Sequence, residues 1–457
     1  MTDIHGQIIS NEMITLSQYM ANAEDLLLPD EVIEIAKHHI LDTIAAMISG
    51  SRLGPGLMAL RHVRAMMAAP EASLAGCDHL TSAPFAAMAN GMCAHADETD
   101  DSHYTSRTHP GASIVPAALA LAHRNSSSGL SFLRAVVLGY DIGTRLVHAL
   151  DMRGFAKLSR SCHSFGGTFG AGASVGLLQK FNAEQMRYLL SYCAQMASGC
   201  GAYMHDASHI EKAYVYAGKS AQNGVQAGLM VADGFPGAPD VFSGDRNFLD
   251  AYAAVPDRAA LIDALGRRFE ITRTNLKKWC VGSPIQAPLD ALESIMEQVP
   301  TRLENIESIE VELAPTNART VDGRPIPNVN LQHLFGVMLV DRKLTFESSH
   351  DPARMMDEHV IQYRNKIHIL PSPALEFASP PRQSIVTLRL SNKTYIRRHI
   401  LAVRGTADNP MTRTEVITKA EDLMVPVLGK IEAQKIIDGV FNIERAAYVR
   451  GLNLGTV

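Results

Sequence analysis

The sequence predicts a mainly α fold in which a large multi-helix domain is interrupted by a smaller α+β domain. Apolar residues recur at helical spacing from about residue 27 to residue 235. Strand-like alternation appears only after about Ile271, and the segment Thr412–Leu452 returns to the helical pattern. With 457 residues, 46% of them hydrophobic and 19% charged, the chain is long enough for two or three domains with large buried cores.

The helices of the first part are predicted from apolar stripes and stop signals. Asp30–Gly50 carries its apolar residues on one stripe, and Gly50 provides a stop. Comparable patterns occur in Pro84–Ala96, Ala112–His123, Ser131–Leu150, Ala183–Ser198 and Ser220–Ala232. Small residues in PFAAMANGMCA and FGGTFGAGASVGLL let helix backbones approach closely, which indicates a compact bundle.

The inserted domain is predicted from alternating strands. Asn305–Leu313 (NIESIEVEL) alternates apolar and polar residues, and the segments Gln383–Leu390 and Thr394–Val403 predict a hairpin. Two segments between these strands, Asn330–Val340 and Asp351–Tyr363, have helical patterns. These patterns divide the chain into a helical domain and an inserted α+β domain. The helical domain takes residues 1–268 and 405–457, and the inserted domain takes residues 269–404.

Charge and composition exclude several functional classes. The net charge is -5 and no Lys/Arg-rich run is long enough to grip a phosphate backbone, so we expect no nucleic-acid partner. The first residues, MTDIHGQIISNEMITLSQYM, do not have the pattern of a signal peptide, and no apolar run reaches the roughly 18 residues of a membrane span. The six cysteines are scattered, which is typical of free thiols in a reducing compartment. We therefore expect a cytoplasmic protein without a membrane partner.

Two familiar motif types carry no function in this chain. Gly172–Gly176 (GASVG) matches the G-x-S-x-G nucleophile elbow, but that motif needs a preceding strand, and HSFGGTFGA before it predicts a helix. Neither G-x-G-x-x-G nor G-x-x-x-x-G-K-[ST] occurs, so nothing in the sequence indicates a nucleotide site.

The segment His95–Gly111 (HADETDDSHYTSRTHPG) concentrates three histidines and four carboxylates. Such a segment could hold a metal ion, cover a solvated surface or tune histidines for proton transfer. Histidine with aspartate suits Zn, Mn or Fe, and His205–Asp206 adds another pair. However, no H-E-x-x-H spacing defines a ligand set, so we expect no metal. Most of the carboxylates should cap the preceding helix, pair with Arg107 or lysines, and orient His109.

Four segments together resemble the MmgE/PrpD family, which includes 2-methylcitrate dehydratase, cis-aconitate decarboxylase and iminodisuccinate epimerase. They are the histidine-rich segment above, Ser161–Thr168 (SCHSFGGT), Glu211–Gly224 (EKAYVYAGKSAQNG) and Asn275–Gly282 (NLKKWCVG). The family motif H-A-L-D-F-D-D-T-H, followed by T-H-P, is here H-A-D-E-T-D-D-S-H followed by Thr108-His109-Pro110. The resemblance covers nearly the whole chain.

The resemblance implies a helical domain with a smaller α+β lid, a homodimer, and no metal or organic cofactor. By position it implies His109 and His163 as the catalytic pair, and substrate contacts from a larger set: Glu98, Ser102, Lys212, Lys277 and Lys278. Glu98 and Ser102 replace an aspartate and a threonine of the first motif, and three positions outside it also depart from the family. Lys212 lies one residue from the expected lysine, which leaves Lys219 as an alternative, and Tyr216 and His333 replace a histidine and a tyrosine.

Chemistry of this family makes or quenches a carbanion beside a carboxylate, which needs a base and clustered cations. Histidine can serve as acid or base near neutral pH. We therefore expect a lyase acting on a polycarboxylic acid, with 2-methylcitrate dehydration first, and decarboxylation of a cis-aconitate-like acid or epimerisation of an iminodisuccinate-like acid as alternatives. A metal-dependent hydrolase and a non-catalytic carboxylate-binding protein are remoter alternatives.

Overall fold

A computed structural model describes residues 9–298, 305–452 and 454–455, apart from the side chains of residues 152, 153 and 156. The helices are α1 Asn11–Ala21, α2 Asp30–Gly50, α3 Gly54–Ala65, α4 Ala83–Ala94, α5 Gly111–Asn125, α6 Gly129–Ala149, α7 Met152–Lys157, α8 Cys162–Leu178, α9 Ala183–Met196, α10 Ile210–Ala213, α11 Lys219–Ala232, α12 Phe248–Tyr252, α13 Gln286–Gln298, α14 Pro315–Val321, α15 Leu331–Asp341, α16 Phe346–His350, α17 Glu358–Arg364, α18 Arg413–Leu428 and α19 Lys430–Phe441. The strands are β1 Ala72–Ser73, β2 Leu80–Thr81, β3 Ser102–His103, β4 Thr274–Asn275, β5 Ile306–Leu313, β6 Ile367–Pro371, β7 Ser384–Leu390 and β8 Tyr395–Ile400.

The chain divides into two compact units, the first of which is assembled from two separate segments. Met1–Thr274 and Val416–Val457 form the helical unit, and Asn275–Glu415 forms the second unit. The mainly α fold class with two domains is therefore confirmed. Among the described residues, no helix is long and apolar enough to cross a membrane.

Small residues allow the central helices of the first unit to pack closely. A Cβ atom on Gly143 of α6 would lie 2.5 Å from the carbonyl oxygen of Gly166 on α8, so glycine is required at this contact. Ser174 lies in the middle of α8, fully buried, and its hydroxyl donates to the carbonyl of Ala135 over 2.7 Å. The helical interpretation of GASVG is confirmed, and Ser174 is a packing residue rather than a nucleophile.

The second unit contains a four-stranded sheet in the order β6-β5-β7-β8. β5 is antiparallel to β7, with Val311 opposite Val386, and parallel to β6, with Ile309 opposite Ile367. The side chains of Ile309, Val311 and Leu313 are buried, while the alternate residues are partly exposed. This confirms the strand predicted from NIESIEVEL, and β7 with β8 confirms the hairpin.

One predicted helix is wrong in detail. The segment Asp351–Tyr363 is broken into a 3-10 turn, Pro352–Met356, and the helix α17. The break follows from two competing caps, because Asp351 accepts from the amide of Ala353, and Asp357 accepts from the amide of His359. Each aspartate starts a new helical segment instead of continuing the previous one.

Candidate active site

The histidine-rich segment is a buried connection between α4 and α5. His95 follows α4 directly, and the segment includes β3 before α5 begins at Gly111. Asp97, Asp100 and Asp101 are buried, with the last two fully inaccessible. This excludes a solvated acidic surface, because carboxylates are buried at such cost only when they are paired.

Asp101 supports the fold around this segment. Its carboxylate accepts hydrogen bonds from Nδ1 of His39 at 2.8 Å, the hydroxyl of Tyr140 at 2.6 Å and the backbone amide of Gly111 at 3.0 Å. Burial and then Asp101 raise the pKa of Tyr140 well above its ordinary value, so its hydroxyl stays a donor. We expected the aspartates to cap the preceding helix. Asp101 instead binds the following one, because the free amides of a helix lie at its N-terminus.

A buried lysine from the end of the chain holds the same segment. Nζ of Lys419 on α18 lies 2.6 Å from a carboxylate oxygen of Asp42 on α2, and it donates to the carbonyl of Thr99 over 3.0 Å. Lys419 is 6% exposed and Asp42 is 2% exposed. No sequence pattern indicates this pair, because more than 370 residues separate its members and neither lies in a recognisable motif.

Asp100 connects two histidines. One oxygen accepts from Nδ1 of His95 at 2.8 Å and the other accepts from Nδ1 of His109 at 3.2 Å. Burial raises the pKa of Asp100, but His95 and His109 together lower it well below its ordinary value, so the group is ionised. An ionised carboxylate can only accept, so both histidines carry a proton on Nδ1. The prediction of an aspartate that orients His109 agrees with this contact.

His163 lies in the first turn of α8, close to His109. The two ring centroids are 5.4 Å apart. Nδ1 of His163 is buried and has no hydrogen-bond partner among the described residues. Burial is the main cause that lowers the pKa of His163 well below its ordinary value, and His109, His95 and Lys212 lower it further. His163 is therefore neutral at physiological pH.

A π-helical turn explains why Lys212 lies one residue away from the expected position. The turn spans Tyr214–Gly218 and separates α10 from α11. Such a turn takes up one extra residue within a helix, and it occurs often at functional sites. The residues of α11, after the turn, therefore stay aligned with the family motif, whereas Lys212, before the turn, is displaced from its position in that motif by one residue.

Lys212 lies within the histidine cluster, and Lys219 does not share its partners. The ammonium of Lys212 is paired with the carboxylate of Glu98 and lies 5.1 Å from the ring centroid of Tyr216. Nζ of Lys219 donates to the carbonyl and hydroxyl oxygens of Ser198. Of the two lysines that the sequence left open, Lys212 is the one near Glu98.

A further residue of the first unit, His209, extends the cluster. His209 has a left-handed backbone with φ of 62°, and its ring centroid lies 5.2 Å from that of His95. Its Nε2 is buried and without a partner among the described residues, whereas His205 is exposed. Ser102 lies on β3 with its hydroxyl buried and likewise unpartnered. In the sequence, only the segment His95–Gly111 indicates Ser102, and no motif indicates His209.

The remaining predicted contacts belong to the second unit. Lys277 is 2% exposed, and Lys278 pairs with Glu293 and lies 4.6 Å from the ring centroid of Trp279. His333, on α15, is fully buried, and neither ring nitrogen has a partner among the described residues. Burial lowers the pKa of His333 to about 4, so its imidazole is neutral.

Two sets of side chains bring three possible ligand atoms within 4.8 Å of one another. They are His95 with Asp100 and His109, and His95 with Glu98 and His209. In the first set both carboxylate oxygens of Asp100 already accept from imidazoles, and in the second Glu98 is paired with an ammonium. A cation would have to displace these donors. The present partners suit proton transfer, and the expected lack of a metal remains a prediction.

The cluster brings together His109, which is paired with a carboxylate and partly accessible, the neutral His163 and the ammonium group of Lys212. A carboxylate on Nδ1 stabilises an imidazolium, which makes His109 suited to donate a proton. Neutral His163 is suited to accept one, and Lys212 is suited to attract an anion. This arrangement can move a proton beside a negatively charged group.

Comparisons with known proteins agree with the fold and the segments that form this site. Residues 14–259 match the family model described as the MmgE/PrpD N-terminal domain, and residues 279–444 match the MmgE/PrpD C-terminal domain. The chain is 27% identical to a "Cis-aconitate decarboxylase-like protein oryM" of Aspergillus oryzae over 93% of both chains. It is 25% identical to a "Cis-aconitate decarboxylase" of Aspergillus terreus over 69% of both chains.

Proposed function

Because this chain belongs to the MmgE/PrpD family, we propose that it is a lyase that acts on a small polycarboxylic acid without a metal or organic cofactor. The family includes dehydratases and cis-aconitate decarboxylase, both of which are lyases. The observation that carries the proposal is the pair His109 and His163, 5.4 Å apart, with a carboxylate behind one ring and an ammonium nearby.

His109 is the proposed proton donor. Asp100 accepts from Nδ1 of His109, so a second proton on Nε2 creates an imidazolium directly beside a buried negative charge. The ring is partly accessible, with 13% of its side chain exposed, so a substrate can reach it. After donation, Nδ1 of the neutral ring keeps its proton and still donates a hydrogen bond to Asp100. This hydrogen bond holds Nε2 in the orientation needed for the reverse transfer.

The negative charges of the substrate need cationic or donor groups close to this pair. Lys212 is one, and the N-terminus of α8, where Ser161 makes no side-chain cap, is another, because the partial positive charge of a helix N-terminus favours an anion. Ser102, Glu98, Lys277 and Lys278 stay proposed substrate contacts, with Glu98 acting through the orientation of Lys212.

The names of the similar proteins support decarboxylation of a cis-aconitate-like acid as the first candidate reaction. The bond between the carbon skeleton and one carboxylate breaks, CO2 leaves, and the electron pair stays on the skeleton. Conjugation with a neighbouring carboxylate spreads this charge, which Lys212 stabilises. Protonated His109 then donates to the carbanion, so one proton is consumed for each CO2 released.

Dehydration of a 2-methylcitrate-like hydroxy acid is the second candidate, and the presence of two histidines favours it. Neutral His163 takes the proton next to a carboxylate, and protonated His109 gives a proton to the departing hydroxyl, which leaves as water. The protons balance, because one histidine gains what the other loses. This reaction needs both rings, whereas decarboxylation needs a single proton donor.

The test is to incubate the purified protein with cis-aconitate, 2-methylcitrate, citrate and iminodisuccinate. Release of CO2, alkene absorbance and optical rotation distinguish decarboxylation, dehydration and epimerisation. We expect CO2 from cis-aconitate, and a His109→Gln variant that loses at least about 100-fold in kcat. No change with any of the four acids would overturn these substrates, and full activity of His109→Gln would remove its role.

We further propose that the protein is a homodimer located in the cytoplasm. All six cysteines are free thiols, as a reducing compartment favours. Light scattering coupled to size-exclusion chromatography measures the mass in solution, and a monomer would contradict the dimer.

A further inference from the structure

The phenol ring of Tyr216 lies against two imidazoles of the candidate site. The ring centroid of His163 is 3.5 Å away and that of His95 is 4.6 Å away, and both imidazoles are inclined by only 16° to the phenol. Two rings this close and this parallel would overlap if they shared one face, so they lie on opposite faces. Tyr216 is 8% exposed and separates the two histidines.

We propose that Tyr216 is the positioning residue of His163, whose imidazole plane it holds through ring stacking from the π-helical turn Tyr214–Gly218. The proposal rests on the proposed function in one respect, since His163 is taken there as a reacting histidine. It concerns a residue for which the family motif has histidine.

Hydrogen bonding at Nδ1 does not explain how the imidazole ring of His163 is held. Nδ1 has no hydrogen-bond partner among the described residues, so no carboxylate or carbonyl holds the ring through Nδ1, as Asp100 holds His109. Stacking on a flat, buried ring is then the contact that defines the imidazole plane. Loss of this contact would leave rotation about the side-chain torsions free.

A tyrosine also differs from a histidine in the charge that it can bring. Burial and Tyr203 raise the pKa of Tyr216 well above its ordinary value, so the phenol stays neutral throughout the working range of the site. A histidine in this position would place another titratable ring against His163. The groups that already act on His163 are His109, His95 and Lys212, which disfavour its protonation, and Asp100, which favours it.

The π-helical turn accounts for how a tyrosine and a lysine can serve the cluster together. Lys212 precedes the turn and pairs with Glu98, and Tyr216 lies within the turn. The extra residue of the turn lets both side chains reach the histidines from one helical segment. Tyr203 contacts the edge of the phenol, with the ring centroids 5.0 Å apart and the planes at 85°.

The test compares Tyr216→Met, which keeps volume but has no flat ring, with Tyr216→Phe, which keeps the ring and loses the hydroxyl. Tyr203→Phe is the matched control, because it removes the hydroxyl group that hydrogen-bonds to Tyr216 and leaves both rings in place. NMR of protein with 13C-labelled histidine rings follows His163 from about pH 8 to pH 5, assigned by the signal missing from His163→Gln. This titration needs no substrate, so it remains informative if the proposed substrates fail.

We expect no titration of His163 between about pH 8 and pH 5 in the wild type or Tyr216→Phe, and a midpoint within that range but below the ordinary value of about 6.5 in Tyr216→Met, because water reaches the ring while His109, His95 and Lys212 still disfavour its protonation. With a substrate that is dehydrated, which needs His163 as the base, kcat of Tyr216→Met should fall by more than about tenfold with KM changed by less than about threefold, whereas Tyr216→Phe keeps kcat. Unchanged titration and kcat in Tyr216→Met, or equal losses in Tyr216→Phe, would overturn the proposal.

If Tyr216→Met does not fold, as thermal melting would show, Tyr216→His supplies the second test. It keeps a flat ring but adds a titratable one, so kcat should gain a new acidic limb below about pH 6.5. An acidic limb identical to that of the wild type would overturn the proposal.

Discussion

Replacing Asp100 by asparagine should separate the effect of the negative charge of this buried carboxylate from the effect of its shape. Asparagine has nearly the same shape, but it carries no charge, and its amide group has one acceptor and one donor end. The oxygen can still accept from Nδ1 of one histidine, whereas the NH2 group faces Nδ1 of the other. Either His95 or His109 must then change its tautomer, and the charge that stabilises a protonated His109 is lost.

The size of the effect follows from the distance. The carboxylate oxygen lies 3.2 Å from Nδ1 of His109, which places the charge centres about 4 Å apart. At an effective dielectric constant of about 20, the carboxylate stabilises an imidazolium by about 4 kcal/mol. Since about 1.4 kcal/mol corresponds to a factor of ten in rate, the full loss is about 1000-fold. Water entering the site would recover part of this, so we expect a fall in kcat of about 100-fold to 1000-fold.

The assay measures kcat and KM for cis-aconitate across the pH range, with folding checked by thermal unfolding. Asp101→Asn is the matched control, because Asp101 is equally buried and also binds a histidine, but it supports α2, α5 and α6. We expect that control to lose stability while the folded fraction keeps most of its kcat. If Asp100→Asn stays within about threefold of the wild-type kcat at every pH, the reasoning about His109 is wrong.

Three further predictions concern binding, stability and pH. Lys212→Met should raise KM and lower kcat/KM by about 10-fold to 200-fold, because a charged hydrogen bond contributes about 1.5–3 kcal/mol. Steady-state kinetics of the variant and the wild type at two salt concentrations would measure this loss of the ammonium group. Lys419→Met should reduce the free energy of unfolding by about 3–5 kcal/mol, since it leaves Asp42 buried without its counter-charge; urea titration measures this, and a loss below about 1 kcal/mol would contradict it. Burial and then Arg450 lower the pKa of His123 to about 4 in the folded state, below the ordinary 6.5, so the unfolded chain binds the proton first and stability falls as pH drops through this window. His123→Asn should therefore lose stability less steeply between about pH 6.5 and pH 4, by up to about 1.4 kcal/mol per pH unit, and parallel curves for the two proteins would refute the assignment.

Periodicity was sufficient to predict the helices and strands whose apolar residues face one core. The apolar stripe of α2 and the alternation of β5 were both read directly from residue type. The short helices α16 and α17 could not be predicted in this way. Local side-chain caps at Thr345 and Asp357 decide where they begin, and these caps compete with a pattern that is continuous in sequence.

Residue types could suggest the members of the site but not how they are connected. Motifs pointed to His109 and His163, and the structure places their rings side by side. That one aspartate would bind two histidines was not predictable, because four neighbouring carboxylates have equivalent chemistry and only the backbone path distinguishes them. The stacking of Tyr216 was equally hidden, since it depends on a π-helical turn that has no clear sequence signal.

Attachment of the last helices to the first ones determines when the site is completed during synthesis. Asp42 and Thr99 are made early, but their partner Lys419 leaves the ribosome only after Asn275–Glu415 has been translated. At about 5–20 residues per second, the 320 residues from Thr99 to Lys419 take roughly 16 to 64 seconds. A nascent chain in this interval has both candidate histidines, but the carboxylate of Asp42 and the carbonyl of Thr99 lack their lysine partner. Premature termination before Lys419 would therefore produce a protein with every proposed catalytic group and an unsupported site.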